Sequence, residues 1–268
     1  MLTKEFQHFI RDTGAYETPA DSSCSRMDRF FGKFDAWFYL KLFRIVYVCS
    51  KVVKRGEFNS ESWSDLSFAV MRNIEQCGGK VRVEDYQNAV CATHPVVYVA
   101  NHMSMVETMV LPVLLLPFDH ITTVVKESLM RYPVFGTVMR GVNPVIVGRQ
   151  NPRDDLKNVL EKGSDFIRNG QSVIIYPQST RSIVFDSSHF NSIGIKLAKK
   201  TDVPIVPIAL KTDFMGIGKF MRDFGPLDRS KMVCFKFGEQ IRVSGNGKAQ
   251  HQRIIDFIDD TLKIWSGY

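Results

Sequence analysis

The sequence predicts an α/β fold with a mixed, largely parallel central sheet, helices on both faces, and an N-terminal amphipathic helical segment. Two observations support this prediction. Beyond residue 79, short apolar runs rich in β-branched residues alternate with stretches in which apolar residues recur at helical spacing. Before residue 79, the main patterns are helical. We therefore expect a helical segment over residues 1–79 and an α/β domain over residues 80–268.

Composition narrows the class of protein. The chain has 268 residues, of which 44% are hydrophobic and 24% charged, so it is long enough for one large globular domain with an appendage. A formal charge of +7 favours anionic partners such as phosphorylated substrates or anionic lipid surfaces. Nucleic acid is not expected as a partner, because lysines and arginines are dispersed along the chain. Five cysteines without C-x-x-C spacing indicate reduced thiols on a cytosolic side and no zinc site.

The first helical segment is basic and aromatic. Residues 1–14 lack the apolar stretch of a signal peptide, and residues 30–55 have the length of a membrane span. Three cations lie inside that stretch, and each costs about 2.5–3.5 kcal/mol at the centre of a span, so we do not expect it to cross a membrane. On a helical wheel the cations share an arc of roughly 140°: Lys41, Arg44, Lys51, Lys54 and Arg55. This pattern predicts a helix in a membrane interface, and packing against the protein's own core is the alternative.

The remaining elements follow in chain order. A helix over residues 63–76 is predicted to end at Gly78 and Gly79, and residues 80–84 and 96–100 read as strands. Further strands are predicted near residues 121–125, 144–148, 172–176, 204–209 and 232–243, and helices near residues 104–116, 153–169, 191–200 and 249–265. Pro204 and Pro207 interrupt one of these strands, which favours a position at an edge or an irregular end of the sheet.

A histidine follows the strand at residues 96–100. The apolar run ends at Asn101 and His102, and Glu107 comes five residues after the histidine. The carboxyl ends of strands in open α/β sheets are where loops converge on a site. A turn between strand and helix would let the Glu107 carboxylate contact one ring nitrogen of His102 and leave the other free as a general base.

Three later blocks join this one in order. They are the apolar strand at residues 143–149 that ends in Arg149, the strand and polar turn at residues 172–182, and the strand bracketed by prolines at residues 203–209. Together the four blocks resemble the motifs of the glycerolipid acyltransferase family, which includes bacterial 1-acylglycerol-3-phosphate acyltransferases, over roughly residues 80–245.

The resemblance implies roles for individual residues. His102 matches the catalytic histidine, and Glu107 stands where the family usually has aspartate. The substrate-binding positions that the resemblance implies are Lys126, Arg149, Gln178, Ser179, Thr180 and Arg181. Gln178 and Ser179 stand where the family usually has glutamate and glycine, so the acceptor's identity is left open. Backbone N–H groups of the turn at residues 179–180 are expected to meet the thioester oxyanion.

The implied reaction transfers an acyl group from acyl-CoA or acyl carrier protein to the hydroxyl of a lysophospholipid, with no cofactor and no metal. Arg149 and Arg181 are expected to bind the acceptor's phosphate. An anionic membrane surface is a further expected partner, with the protein peripheral or monotopic on its cytoplasmic side. Two alternatives remain open: a lipid-binding or regulatory protein on a diverged scaffold, and an acyl-thioester hydrolase.

Overall fold

Eight strands form one sheet in the part of the chain that the computed structural model describes, residues 1–20, 26–178, 180–218 and 222–267. The strand order is β1-β2-β8-β7-β3-β6-β4-β5. Five neighbouring strands, from β7 to β5 in this order, run parallel. β8 is antiparallel to β7 and parallel to β2, and β1 is antiparallel to β2. The predicted fold class, a mixed and largely parallel sheet, is confirmed.

The strand bounds agree closely with the apolar runs of the sequence. They are β1 (Tyr16–Glu17), β2 (Lys80–Glu84), β3 (Val97–Ala100), β4 (Ile121–Lys126), β5 (Val145–Val147), β6 (Ser172–Ile175), β7 (Ile205–Lys211) and β8 (Met232–Phe237). β3 and β6 are buried along their whole lengths, as expected for strands covered on both faces.

Helices cover both faces of the sheet. They are α1 (Thr3–Thr13), α2 (Arg26–Phe31), α3 (Asp35–Lys54), α4 (Ser60–Gln76), α5 (Gln87–Val90), α6 (Val106–Leu115), α7 (Phe135–Val142), α8 (Pro152–Arg168), α9 (Ile193–Thr201) and α10 (Lys248–Ser266). Alternate residues of β3 point to two separate cores. Tyr98 packs in the core with α3, α4 and α6, whereas Val97 and Val99 pack in the core with α8, α9 and α10.

Two expectations about strands were wrong. The strand with two prolines, β7, lies between β8 and β3 in the middle of the sheet. Pro207 is tolerated there because the segment that follows β8 carries one extra residue opposite it: Ile208 pairs with Phe237, but Ile205 pairs with Ile241. That bulge also ends β8 at Phe237, whereas the sequence predicted a strand to residue 243.

The N-terminal helices pack on the sheet through one side and leave another side exposed. Phe38 and Leu42 of α3 are buried against α4 and the first core. Lys41 was expected on the exposed basic face, but its Nζ lies 2.8 Å from Asp28 Oδ1 and 2.6 Å from Gln76 Oε1, and its side chain is 22% exposed. Within the described residues, no helix is both long enough and apolar enough to cross a membrane.

Candidate functional site

The ends of three neighbouring strands bring the site together. In the register of the sheet, Val99 of β3 lies beside Ile175 of β6 and Pro207 of β7. Because these strands are parallel, the segments that follow them emerge at the same edge. His102, Gln178 and Thr212 stand in those segments.

His102 and Glu107 are in direct contact. His102 Nδ1 lies 2.8 Å from Glu107 Oε1, across the turn that joins β3 to α6. The His102 side chain is 18% exposed, whereas that of Glu107 is fully buried. Since an ionised carboxylate only accepts hydrogen bonds, we assign the proton to Nδ1. The lone pair of Nε2 is then free to accept a proton.

Four further donors surround the Glu107 carboxylate. The backbone N–H groups of Met103 and Ser104 donate to Oε1 at 2.8 Å and 2.9 Å. The hydroxyls of Ser104 and Thr212 donate to Oε2 at 3.0 Å and 2.6 Å. Burial alone would raise the pKa of Glu107, but the contacts with His102 and Thr212 outweigh burial and lower it. Glu107 therefore remains ionised although it is buried.

The segment after β6 supports His102 from the other side. The backbone N–H of His102 donates to Gln178 Oε1 at 2.8 Å, and the Tyr176 ring stacks on the imidazole with centroids 4.6 Å apart. Gln178 was predicted to contact the substrate, but it is only 5% exposed and its amide oxygen holds the backbone of His102. Gln178 thus supports the backbone of His102, and its contact with the substrate stays a prediction.

Arg149 follows β5 in an unusual backbone conformation. Its φ is 60°, which is uncommon for a residue with a side chain. The Asp155 carboxylate stabilises this turn, since it accepts hydrogen bonds from the backbone N–H groups of Gly148 and Arg149 at 2.8 Å each. The Arg149 residue as a whole is exposed, but local loss of solvent around the guanidinium lowers its pKa, against the opposing effect of Asp155. The nearby charge of Arg181 lowers the Arg149 pKa further.

Arg181 lies in the segment after β6 and is largely covered. Its side chain is 19% exposed, and its Nη2 forms an ion pair with the Asp223 carboxylate. Thr180 is exposed in the same turn, and Ser179 lies outside the described residues. Lys126 is exposed at the end of β4, two strands from β3. The positive charge of Arg181 acts on that of Arg149 at this edge, and binding of an anion by the two arginines stays a prediction.

Sequence reasoning missed several residues that shape this site. Thr212, Asp155 and Asp223 were not predicted, and Ser104 was not among the predicted site residues. Ser104 Oγ also accepts a hydrogen bond from the backbone N–H of Val106, at 3.1 Å. The position of Thr212, three residues after the fourth motif, was the one available signal. Among the described residues, no three His, Cys, Asp or Glu side chains are grouped to hold a metal ion.

Comparison with known proteins agrees with this arrangement. Residues 80–211 match the family described as Acyltransferase. The chain is 28% identical over 155 residues to 1-acyl-sn-glycerol-3-phosphate acyltransferase of Pseudomonas aeruginosa, which covers 58% of each chain. It is 31% identical over 142 residues to a chloroplastic enzyme of the same name from Arabidopsis thaliana, covering 53% of this chain and 38% of that one. The matches thus span between about two fifths and three fifths of the length of these two relatives.

A solved structure shares the fold. The crystal structure of the 1-acyl-sn-glycerophosphate acyltransferase PlsC from Thermotoga maritima aligns with a TM-score of 0.62 and 22% identity, over 87% of this chain and 95% of that one. An open α/β sheet with a histidine and carboxylate pair at its carboxyl edge is the arrangement of an enzyme site. Residues 80–211 thus carry an acyltransferase family domain, and the resemblance of the four motifs to that family is confirmed.

Proposed function

We propose that this protein transfers a fatty acyl group from a thioester to the hydroxyl of a lysophospholipid, with 1-acylglycerol-3-phosphate as the acceptor. The single observation that carries the proposal is the 2.8 Å contact between His102 Nδ1 and the buried Glu107 carboxylate. This contact orients the imidazole, and Nε2 of a side chain that is partly exposed is suited to take a proton from an alcohol. The relatives named after this reaction support the choice of substrate.

In the proposed reaction the acceptor's hydroxyl proton moves to Nε2 of His102 while the oxygen attacks the thioester carbonyl carbon. Glu107 stabilises the imidazolium that forms. The tetrahedral intermediate then collapses, the carbon–sulfur bond breaks, and the leaving thiolate receives the proton from His102. The products are an ester and a free thiol. Because a thiolate leaves readily, no covalent intermediate with the protein is required.

The two arginines supply the proposed contact with the acceptor's phosphate. A guanidinium donates paired, charge-assisted hydrogen bonds to phosphate oxygens. Binding of an anion between Arg149 and Arg181 would also relieve the repulsion that their charges exert on each other. Lys126 and Thr180, both exposed at the same edge, are secondary candidates for substrate contact. The contact of Ser179 with the substrate stays a prediction.

The proposed setting is the surface of an anionic membrane on its cytoplasmic side. Large apolar side chains of α3 are exposed, including Leu40 (60%), Phe43 (58%) and Tyr47 (45%), with Arg44 and Lys51 among them. Apolar groups beside cations are typical of a helix that lies in a membrane interface. This surface would hold the protein beside its lipid acceptor. The donor is proposed to be acyl-CoA or acyl carrier protein.

The test is the release of free thiol from acyl-CoA, measured with and without lysophosphatidate, with the lipid product identified by mass spectrometry. Release only in the presence of the acceptor, together with formation of phosphatidate, is the expected result. His102→Ala should lose about 10²–10⁴ in rate while its thermal unfolding stays close to that of the wild type. Retention of more than a tenth of the rate by a folded His102→Ala protein would contradict the role of His102.

The two alternatives give different results in this assay. Thiol release without acceptor identifies a thioester hydrolase. No release in either condition, across several chain lengths and with an acyl carrier protein donor, identifies a lipid-binding or regulatory protein. Parallel assays with acyl-CoA and with acylated acyl carrier protein identify the donor, because only the natural donor supports turnover at low concentration.

A further inference from the structure

An acidic residue outside the four motifs holds Arg181. The Asp223 carboxylate forms an ion pair with Nη2 of Arg181, and Nη2 of Arg222 donates to the backbone carbonyl of Arg181 at 3.2 Å. The Asp223 side chain is 31% exposed. Both contacts come from one segment, residues 222–229, which we name the arginine loop. It lies about 40 residues beyond the turn that carries Arg181.

The arginine loop is fastened to α3 on its other side. Tyr39 Oη donates to the carbonyl of Gly225, and the Tyr39 ring packs against Phe224 with centroids 5.3 Å apart. Asp35, the first residue of α3, accepts a hydrogen bond from the backbone N–H of Leu227 at 3.0 Å through Oδ2. The other oxygen of Asp35 lies 2.8 Å from Nη1 of Arg229.

Arg229 adds further contacts between the arginine loop and the N-terminal helices. Its guanidinium also donates to the carbonyl of Gly32, at 2.8 Å through Nη2, and to the carbonyl of Cys77, at 2.9 Å through Nε. The loop therefore has ties to both ends of the connection between α2 and α3 and to the end of α4. These contacts hold the arginine loop in position without a bound ligand.

We propose that Asp223 is a positioning residue for the acceptor site: it holds one side of the Arg181 guanidinium so that the remaining donors face the acceptor's phosphate, and the arginine loop fixes this arrangement relative to α3. This inference rests on the proposed function. It adds a residue that the four motifs do not contain, and it connects the helix proposed to contact the membrane with the arginine proposed to contact the lipid headgroup.

The chemistry of arginine supports this role. A guanidinium has five N–H donors, so a carboxylate can occupy one of its edges while other donors remain free for phosphate. An arginine held in one rotamer before the ligand arrives loses less conformational freedom on binding. In the opposite role Asp223 would compete with the phosphate for Arg181, and Asp223→Asn would then bind the acceptor more tightly than the wild type.

The first experiment measures steady-state kinetics of Asp223→Asn with lysophosphatidate as the acceptor. Freeing a long side chain should weaken acceptor binding by roughly three- to tenfold. We expect KM for lysophosphatidate to rise by this factor while kcat changes less than twofold. Monoacylglycerol, which lacks the phosphate, should react at the same rate with both proteins. A merely structural defect would lower kcat with both acceptors, and that result would overturn the proposal.

Asp228→Asn is the matched control. Asp228 lies in the same loop and undergoes the same change from acid to amide. Its carboxylate, however, accepts a hydrogen bond from the backbone N–H of Ser230 and lies 4.0 Å from Nζ of Lys231. Its kinetic constants should equal those of the wild type. Tyr39→Phe removes the hydroxyl contact with Gly225 and keeps the ring, and it should raise KM for lysophosphatidate in the same direction by a smaller factor.

A binding measurement separates failure of this inference from failure of the proposed function. A short-chain, water-soluble lysophosphatidate is titrated into each protein, and binding is followed by broadening of its phosphorus NMR signal. Arg181→Ala should bind weakly, and Asp223→Asn should fall between it and the wild type. If Arg181→Ala is weak but Asp223→Asn binds like the wild type or more tightly, the role of Asp223 is wrong and the phosphate site stands. If Arg181→Ala binds normally, the phosphate site is wrong and this inference fails with it.

Discussion

At the scale of single residues, the environment of Glu107 explains how a glutamate can serve beside His102. Glutamate reaches one methylene further than aspartate, and its second oxygen extends to the Thr212 hydroxyl at 2.6 Å. Its first oxygen still accepts from two backbone N–H groups of the turn. The longer side chain is therefore fully hydrogen-bonded, as a buried charge requires.

Replacing Glu107 tests whether its charge supports catalysis. Glu107→Gln keeps the shape but removes the charge that stabilises the imidazolium, so kcat should fall by about tenfold or more with little change in KM for the acceptor. Glu107→Asp keeps the charge and should retain more activity than Glu107→Gln. The measurement is steady-state kinetics of thiol release. Equal kcat for wild type and Glu107→Gln would show that the carboxylate does not assist His102.

The His102 and Glu107 contact could be predicted from sequence because both residues lie in one short turn. The contact with Thr212 could not, since Thr212 comes 105 residues after Glu107 and its position depends on the pairing of β3 with β7. Asp223 was missed for the same reason, because a lone aspartate in a loop carries no local signal. Local spacing predicts local contacts, and the supporting residues of this site are not local.

At the scale of elements, α6 shows how one helix tolerates an internal proline. Pro112 has no N–H to donate, and its ring displaces the carbonyl one turn earlier. The next residue, Val113, donates its N–H to Ser67 Oγ of α4 at 2.9 Å, and Ser67 donates to the Met109 carbonyl at 2.7 Å. The hydroxyl of a neighbouring helix thus bridges the gap in the hydrogen-bond ladder of α6.

We predict that Ser67→Ala destabilises the protein more than an ordinary loss of one hydroxyl. The change leaves a buried N–H and a buried carbonyl without this partner, which costs about 1–3 kcal/mol in the free energy of unfolding. Urea unfolding measures the difference. Ser64→Ala, on the same helix, is the control: its hydroxyl accepts from the Gln7 side chain at 2.5 Å, and a part-buried amide can bond water instead. Equal losses for both variants would contradict the bridging role.

Most long elements were predicted within a few residues, because their apolar periodicity is strong. Four helices, α1, α2, α5 and α7, are absent from the sequence-based prediction, and the last three have eight residues or fewer. β7 was expected at an edge or an irregular end of the sheet because proline disfavours central strands, and the bulge opposite Pro207 overrides that rule. A bulge depends on the partner strand, so the sequence of β7 alone does not reveal it.

At the scale of the whole molecule, the exposed face of α3 predicts how the protein meets a membrane. Lys51 Nζ lies over the Tyr47 ring, 5.4 Å from its centroid, and Arg44 lies on the same side of the helix. Each cation near an anionic surface is worth about 1 kcal/mol, so reversing two charges should lower partitioning by about tenfold or more. Arg44→Glu with Lys51→Glu should therefore shift the protein away from anionic vesicles in a flotation assay.

The control variant is Lys157→Glu with Lys162→Glu. It makes the same change in net charge on α8, which packs on the opposite face of the sheet from α3. Flotation of this variant should resemble that of the wild type at moderate salt. Equal flotation of the α3 variant and the α8 variant would contradict docking through α3 and favour the alternative that this face packs against protein. Lys41 is left unchanged in both variants because it is paired with Asp28.

His94 predicts how stability depends on pH. Its Nε2 lies 3.0 Å from the Ala89 carbonyl, and Nδ1 lies 2.9 Å from Asp119 Oδ2 at an angle that makes the contact electrostatic. Burial acts to lower the pKa of His94, but Asp119 and the carbonyl outweigh it and raise the pKa. Protonated His94 therefore stabilises the folded state fully below about pH 6.5, its pKa in the unfolded chain. This stabilisation is lost as the pH rises through the higher pKa of His94 in the folded state.

Urea unfolding of the wild type and of His94→Gln at pH 5.5 and pH 9 measures this contribution. The free energy of unfolding should fall more steeply between these two pH values for the wild type than for the variant, by about 1.4 kcal/mol for each unit by which the pKa is raised. Identical slopes for the two proteins would mean that folding does not raise the pKa of His94.

The assembly of the site from strand ends has a consequence for refolding. Gln178 lies 76 residues beyond the His102 backbone that it holds, and Thr212 lies 108 residues beyond Ser104. Closing loops of this length is slow compared with forming helices. During refolding from urea, helical circular dichroism should therefore recover before turnover does. The recovery of turnover would then mark the native pairing of β3 with β6 and β7.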